Sequence, residues 1–176
     1  AAAKAYDQWN QALGKIEIEA DERTKRIFYS NLYHSLVKPS DRSGEGLFGS
    51  EDAFAVDYCT LWDMYKTQLP LIFTFFPKMR RKTLETFLAV ERETGLLPHN
   101  LMLDANVNIE TQQARSLAQY VIADAYFRAA ENENVDSIPA GGLIAAAMRD
   151  IYRDGYRDFT ETGRCAHATH QLDMAE

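Results

Sequence analysis

Apolar positions along the chain fall mostly at helical spacing. Phe28, Leu32 and Leu36 repeat every four residues, which draws one buried stripe along a helix. Asp21 stands ahead of that run as a capping candidate and Pro39 follows it, so the spacing predicts a helix over 21–36. An earlier helix is expected from near the N-terminus to Leu13, where Gly14 is a natural stop. Further helices are predicted over 60–76 with a bend at Pro70, over 78–94 closed by Gly95, over 111–129, and from 139 towards 156. The stretch 167–176 reads as the start of a seventh. Within 111–129, Ala114, Ala118, Val121, Ile122 and Ala125 make a face of small residues suited to close helix packing. Strand signals are few: Ile16-Glu-Ile-Glu alternates but is very short.

Between these helices lie long loops. Residues 38–57 contain Ser43-Gly-Glu-Gly-Leu-Phe-Gly-Ser50, and a loop of about 20 residues inside a compact domain is more often functional than idle. Residues 96–108 form a second loop with Pro98, His99 and several Asn, and 131–137 is a short polar one. The predicted class is all-α, fitting an array of α/α hairpins, with no fixed period of the solenoid type.

Composition narrows the function classes. A chain of 176 residues suits a single helical segment, 1–176, treated as one domain. Its 46% hydrophobic and 26% charged content exclude a disordered tail, a collagen-like fibre and a disulfide-dense mini-protein. Lys plus Arg number 19 against 26 Asp plus Glu, a net charge of −7. No net positive field draws in phosphates, so nucleic acid is not an expected partner. The longest apolar run, Leu69-Pro-Leu-Ile-Phe-Thr-Phe-Phe76, is too short for a membrane span of roughly 18 or more residues and contains a proline. Cys59 and Cys165 allow one disulfide or two thiols, and the sequence leaves both open. No signal peptide or initiator Met is visible, so the chain is expected to be processed or a piece of a longer one.

Four places carry candidate chemistry. Glu110 stands where a polar loop meets a helix, and the positive end of the helix dipole favours its ionised form unless burial opposes it. From position alone, simple stabilisation of the helix start is the favoured reading. Trp62, Asp63 and Lys66 combine an aromatic, a carboxylate and a cation, with Trp62 and Lys66 at i, i+4. That is equipment for a sugar: the aromatic covers an apolar sugar face and the carboxylate accepts from hydroxyls. The competing reading is a core Trp beside a surface ion pair. His167, His170 and Asp173 follow i, i+3, i+6 and could share a helical face. They match no strong zinc spacing, so ordinary hydrogen-bonded histidines are the alternative. His34 could line a pocket or a polar seam. There is no phosphate-cradling glycine motif, no Gly-x-Ser-x-Gly elbow and no His-Glu-x-x-His.

Taken in order, several segments resemble glycoside hydrolase family 92, the calcium-dependent exo-acting α-mannosidases. Phe28-Tyr-Ser-Asn-Leu-Tyr-His-Ser-Leu-Val-Lys-Pro39 resembles the family's Phe-Tyr-x-x-Leu-Tyr-His-Ser stretch. Gly46-Leu-Phe-Gly49 resembles its glycine-aromatic-glycine loop, and Leu61-Trp-Asp-Met-Tyr-Lys-Thr-Gln-Leu-Pro-Leu71 its Leu-Trp-Asp-Thr-aromatic-Arg segment before Pro-Leu. Gly95-Leu-Leu-Pro98 resembles its Gly-x-Leu-Pro turn. Glu110-Thr111 followed by Val121-Ile-Ala-Asp-Ala-Tyr126 resembles its Glu-Thr segment before Asp-Ala-Tyr. The likeness spans residues 9–126 and continues more weakly to the end.

The resemblance implies an N-terminal β-sandwich, absent here, followed by an (α/α)6 barrel of which this chain is the first half. The uncovered flank would need the remainder of the same polypeptide or a partner chain. It implies inverting removal of terminal mannose from mannose-containing glycans, with export to a secreted or periplasmic location. By resemblance Glu110 is the general acid, Trp62, Asp63 and Lys66 contact substrate, and Gln113 is a ligand to Ca2+. Three departures stand out. Lys66 replaces the usual Arg and loses its bidentate fork. Gln112-Gln-Ala-Arg-Ser116 replaces a segment with Met and Gly. The catalytic base falls in an acid-rich segment approached only by Leu172-Asp173-Met-Ala-Glu176, and neither acid is assigned. A non-catalytic glycan-binding or helical scaffold module is therefore the alternative.

Overall fold

The computed structural model describes residues 2–45, 54–57, 60–103, 107–108, 116–132, 138–152 and 161–163. The class is all-α, consistent with one stretch of a helical barrel. Helices α1 (Ala2–Leu13) and α2 (Glu22–Ser35) lie in a first unit, Ala1–Lys38; all other elements lie in a second, Pro39–Glu176.

In the first unit Asp21 caps α2 as its side-chain chemistry predicts. Its Oδ1 accepts from the Arg23 and Thr24 amides at 2.9 and 3.1 Å, meeting two donors that a helix start leaves unpaired. Leu32 is buried on the predicted stripe, while Phe28 and Leu36 are half-buried. Trp9 of α1 packs on Tyr33 of α2 with ring centroids 4.5 Å apart. The chain stops α1 at Gly14, where a Cβ would lie 2.8 Å from the Asn10 carbonyl oxygen. Residues 16–20 are not a strand; among the described residues no strand pairs with the alternation there.

The second unit is organised by α5 (Pro77–Thr94), which packs on α4 (Gln68–Phe75), α6 (Leu117–Asn132) and α7 (Ala140–Tyr152). Leu84, Phe87 and Val90 of α5 are fully buried at i, i+3, i+6, facing Phe73 and Leu69 of α4 and the alanine face of α6 in one core. Ala118, Val121, Ile122 and Ala125 are buried, as their spacing predicts. Gly95 closes α5 at φ 75°, the left-handed conformation a C-terminal glycine adopts without strain.

Both long loops contain paired two-residue strands. β1 (Ser40–Asp41) runs antiparallel to β2 (Ala55–Val56), and β3 (Met102–Leu103) to β4 (Val107–Asn108). The Thr86 hydroxyl accepts from the Ala55 amide at 3.0 Å, tying β2 to α5.

Three predicted boundaries are corrected. The helix expected over 60–76 is two: α3 (Leu61–Met64) and α4, separated at Tyr65–Thr67. Pro70 does not bend it. Pro70 sits in the first turn of α4, where its missing N–H is one of the amides that would have no intrahelical partner. The helix expected over 111–129 cannot run unbroken, because Ser116 has φ 67° and α6 starts just after it, reaching Asn132. α5 begins at Pro77, with proline at its first position. The predicted helix at 167–176 lies outside the described residues.

Candidate functional site

α3 is a four-residue helix, and its two faces differ sharply. Leu61 and Met64, three apart, are buried at 0% and 2% exposure. Trp62 and Asp63 between them face outward, Trp62 with 38% of its surface exposed. The core reading of Trp62 therefore falls. Its indole is large and apolar, yet the helix presents it to solvent because the two flanking apolar residues already occupy the core.

So short a helix cannot hold itself in place; the loop after α5 does it. The Leu61 amide donates to the His99 carbonyl at 2.9 Å. That loop is anchored by burial of Leu97, His99, Asn100 and Leu101. It is also pinned by Asp150 of α7, which is 1% exposed. Asp150 Oδ2 accepts from Gln119 Nε2 of α6 at 2.7 Å, and Oδ1 accepts from the Leu97 amide at 3.4 Å. Three helices thus converge on the platform that carries Trp62 and Asp63.

Just beyond α3, Lys66 Nζ lies 5.0 Å from the centre of the Tyr65 ring, within cation–π range. Tyr65 meets Tyr120 of α6 edge-on, at 5.3 Å and 87°. Trp62, Asp63 and Lys66 are all exposed on this short segment, with Lys66 over the Tyr65 ring. Such a surface offers an apolar ring face, a carboxylate acceptor and an ammonium donor, the contacts a sugar's ring and hydroxyls need.

Glu110 and Gln113 lie outside the described residues, as do Cys59, Cys165, His167, His170 and Asp173. His34 is exposed, with its ring packed edge-on against Tyr33 at 5.4 Å. Among the described residues no three His, Cys, Asp or Glu side chains are grouped to hold a metal ion. None of the described helices is long and apolar enough to cross a membrane.

Motif reading misses Asp150 and Tyr120. For Asp150 a signal exists: Leu143, Ala146 and Asp150 sit at i, i+3, i+7, so a carboxylate interrupts an apolar stripe. A buried carboxylate needs hydrogen-bond partners, which marks it as a tie between elements. Tyr120 carries no such mark, because its neighbour Tyr65 is distant in sequence.

The chain is all-α and presents an exposed Trp–Asp pair on a braced short helix. The model of the glycosyl hydrolase family 92 catalytic domain matches residues 1–170, and the chain belongs to that family of glycoside hydrolases. No curated protein and no solved structure matches the chain.

Proposed function

We propose that this chain contributes to an inverting, calcium-dependent α-mannosidase that removes terminal mannose from glycans. The observation that carries the reading is the outward presentation of Trp62 and Asp63 from α3, against the burial of Leu61 and Met64. A large aromatic kept out of the core, beside a carboxylate and Lys66, suits a pyranose with one apolar face and a rim of hydroxyls.

In this reading Glu110 is the general acid that protonates the glycosidic oxygen. A second carboxyl group about 6.5–9.5 Å away activates water on the opposite face of the sugar. Calcium would bind sugar hydroxyls and polarise them. It takes six to eight oxygen ligands, of which the Gln113 side-chain amide oxygen is one neutral candidate. The reading also places the protein in a secreted or periplasmic compartment. It assigns the cover of the remaining helical flank to the rest of the polypeptide or to a partner chain, beyond an N-terminal β-sandwich.

The test uses the natural polypeptide with α-mannosides of poor and of activated leaving groups. We expect turnover in calcium and its loss in chelator, restored by added calcium. Glu110→Gln should lower kcat by roughly 100-fold or more for poor leaving groups and far less for aryl mannosides, since only the former need the proton. Equal loss with both would remove Glu110 from the acid role.

Lys66 favours a second reading, a glycan-binding module without turnover. An ammonium over the Tyr65 ring cannot supply the planar fork of an arginine. That reading expects mannoside binding unaffected by Glu110→Gln and no hydrolysis at any calcium concentration.

A further inference from the structure

The buried carboxylate of Asp150 takes donors from two separate parts of the chain. Oδ2 accepts from Gln119 Nε2, in the first turn of α6, at 2.7 Å. Oδ1 accepts from the Leu97 amide, just past the glycine that ends α5, at a longer 3.4 Å. Leu97 precedes Glu110 in the chain and Gln119 follows it. One carboxylate therefore fastens both ends of the stretch that carries Glu110 and Gln113. Each end has a further hold. Before Glu110, β3 pairs with β4, which ends at Asn108. After it, Leu117 and Ala118 open α6 in the core. Asp150 itself stands on a fixed helix, because one residue earlier Arg149 Nε donates to Glu91 Oε1 of α5 at 2.7 Å.

We propose that Asp150 and Gln119 are positioning residues, a buried clasp that holds the Glu110-bearing stretch where its proton transfer requires it. The inference rests on reading Glu110 as the general acid. A general acid must stand within hydrogen-bond reach of the oxygen it protonates, and a displacement of about 1 Å can cost roughly 100-fold in rate. A buried carboxylate that loses its donors is costly, so the clasp resists opening. The two ties act on different parts of the site. Leu97 leads to His99, whose carbonyl holds Leu61 of α3, whereas Gln119 sits at the start of α6, on the other side of Glu110. Loosening the Gln119 tie alone therefore disturbs Glu110 and leaves the Trp62–Asp63 surface in place. Gln119 also shows how the clasp can be rebuilt. Among the described residues no donor meets its buried Oε1, so the donor and acceptor roles of positions 119 and 150 can be exchanged.

The natural polypeptide is assayed in calcium with α-mannosides of poor and of activated leaving groups. Gln119→Leu keeps the bulk and removes the donor. It should lower kcat by roughly tenfold or more for poor leaving groups, while KM and the turnover of activated aryl mannosides stay within about twofold. A purely structural loss would lower both substrates alike. Gln119→Glu sets a second carboxylate against Asp150 and should do at least the same harm. Adding Asp150→Asn to it restores a donor–acceptor pair with the roles exchanged, and kcat should return to within about threefold of wild type. Circular dichroism melting shows that each variant is folded at the assay temperature, and if Gln119→Leu is not, the exchanged pair set against Gln119→Glu decides. Equal loss with both substrates, no loss with either, or no recovery in the exchanged pair overturns the proposal if Glu110→Gln still separates the two leaving groups. If Glu110→Gln does not separate them, the acid reading itself fails, and the positioning role falls with it.

Discussion

Asp150 shows how one buried carboxylate can determine the placement of a distant exposed pair. It ties α7 to Gln119 of α6 and to the Leu97 amide, and the loop beginning there supplies the His99 carbonyl that receives Leu61. Removing it by Asp150→Ala strands the Gln119 and Leu97 donors in the interior. We expect a loss of about 1–3 kcal/mol in denaturant unfolding. We also expect weaker sugar binding at Trp62, because the brace under α3 is loosened. Full retention of both would show that the loop is held by burial alone. Asp41 works in the opposite setting, at the surface. Partial burial pushes its carboxyl up, but hydrogen bonds from Lys82 and Ser43 outweigh this and hold it below the ordinary carboxylate range. A depressed folded value means that its contribution is present above the unfolded value of about 3.9 and is lost as pH falls through the folded value. Asp41→Asn should therefore lower the thermal midpoint slightly at neutral pH. The gap from wild type should close as the pH falls through and below the ordinary carboxylate range. A gap that widened in acid would contradict the sign.

At the scale of elements, what was legible in the chain depended on whether the deciding interaction was local. Asp21 capping α2, Gly14 ending α1 and Gly95 ending α5 are all set by neighbours within a turn, and each could be read directly. Gly95 is the clearest test. Its φ of 75° penalises any side chain, while the space around it is open, so Gly95→Ala should cost about 1–2 kcal/mol through backbone strain alone. A neutral result would mean that α5 ends by other means. The break between α3 and α4 was not legible, because Pro70 is the one helix-breaking residue in 60–76 and it falls inside α4 rather than at the break. The start of α3 is held by the His99 carbonyl, which accepts from the Leu61 amide from nearly forty positions away in sequence. The same holds for the platform. Trp62 and Asp63 stand out as a motif, but their outward orientation follows from the burial of Leu61 and Met64, and Tyr120 meets Tyr65 only through the packing of α3 on α6. The β1–β2 and β3–β4 pairs escaped notice because strands of two residues leave no alternation to detect.

At the scale of the whole molecule, one feature of the second unit bears on what the natural protein must supply. Between α6 and α7 lies a groove of about 270 Å³ lined by Ile122, Tyr126, Phe127, Ile138, Leu143 and Ile144. Phe127 and Ile144 are exposed over 67% and 59% of their surfaces. A helical barrel closes by laying each helix pair against the next, so an apolar groove between two helices suits the seating of a further helix. If the barrel is completed as proposed, by the rest of the polypeptide or by a partner chain, this groove is expected to become an interior seam. Replacing Phe127 and Ile144 by Lys distinguishes a seam from a surface. On an open surface these exchanges are near neutral, within about 0.5 kcal/mol, and improve solubility. In a seam they bury two ammonium groups among apolar side chains, so the natural polypeptide should unfold at a markedly lower temperature and lose activity together with its fold. Retained stability with both lysines in place would show that the groove faces water in the complete protein. The ring would then have to close elsewhere.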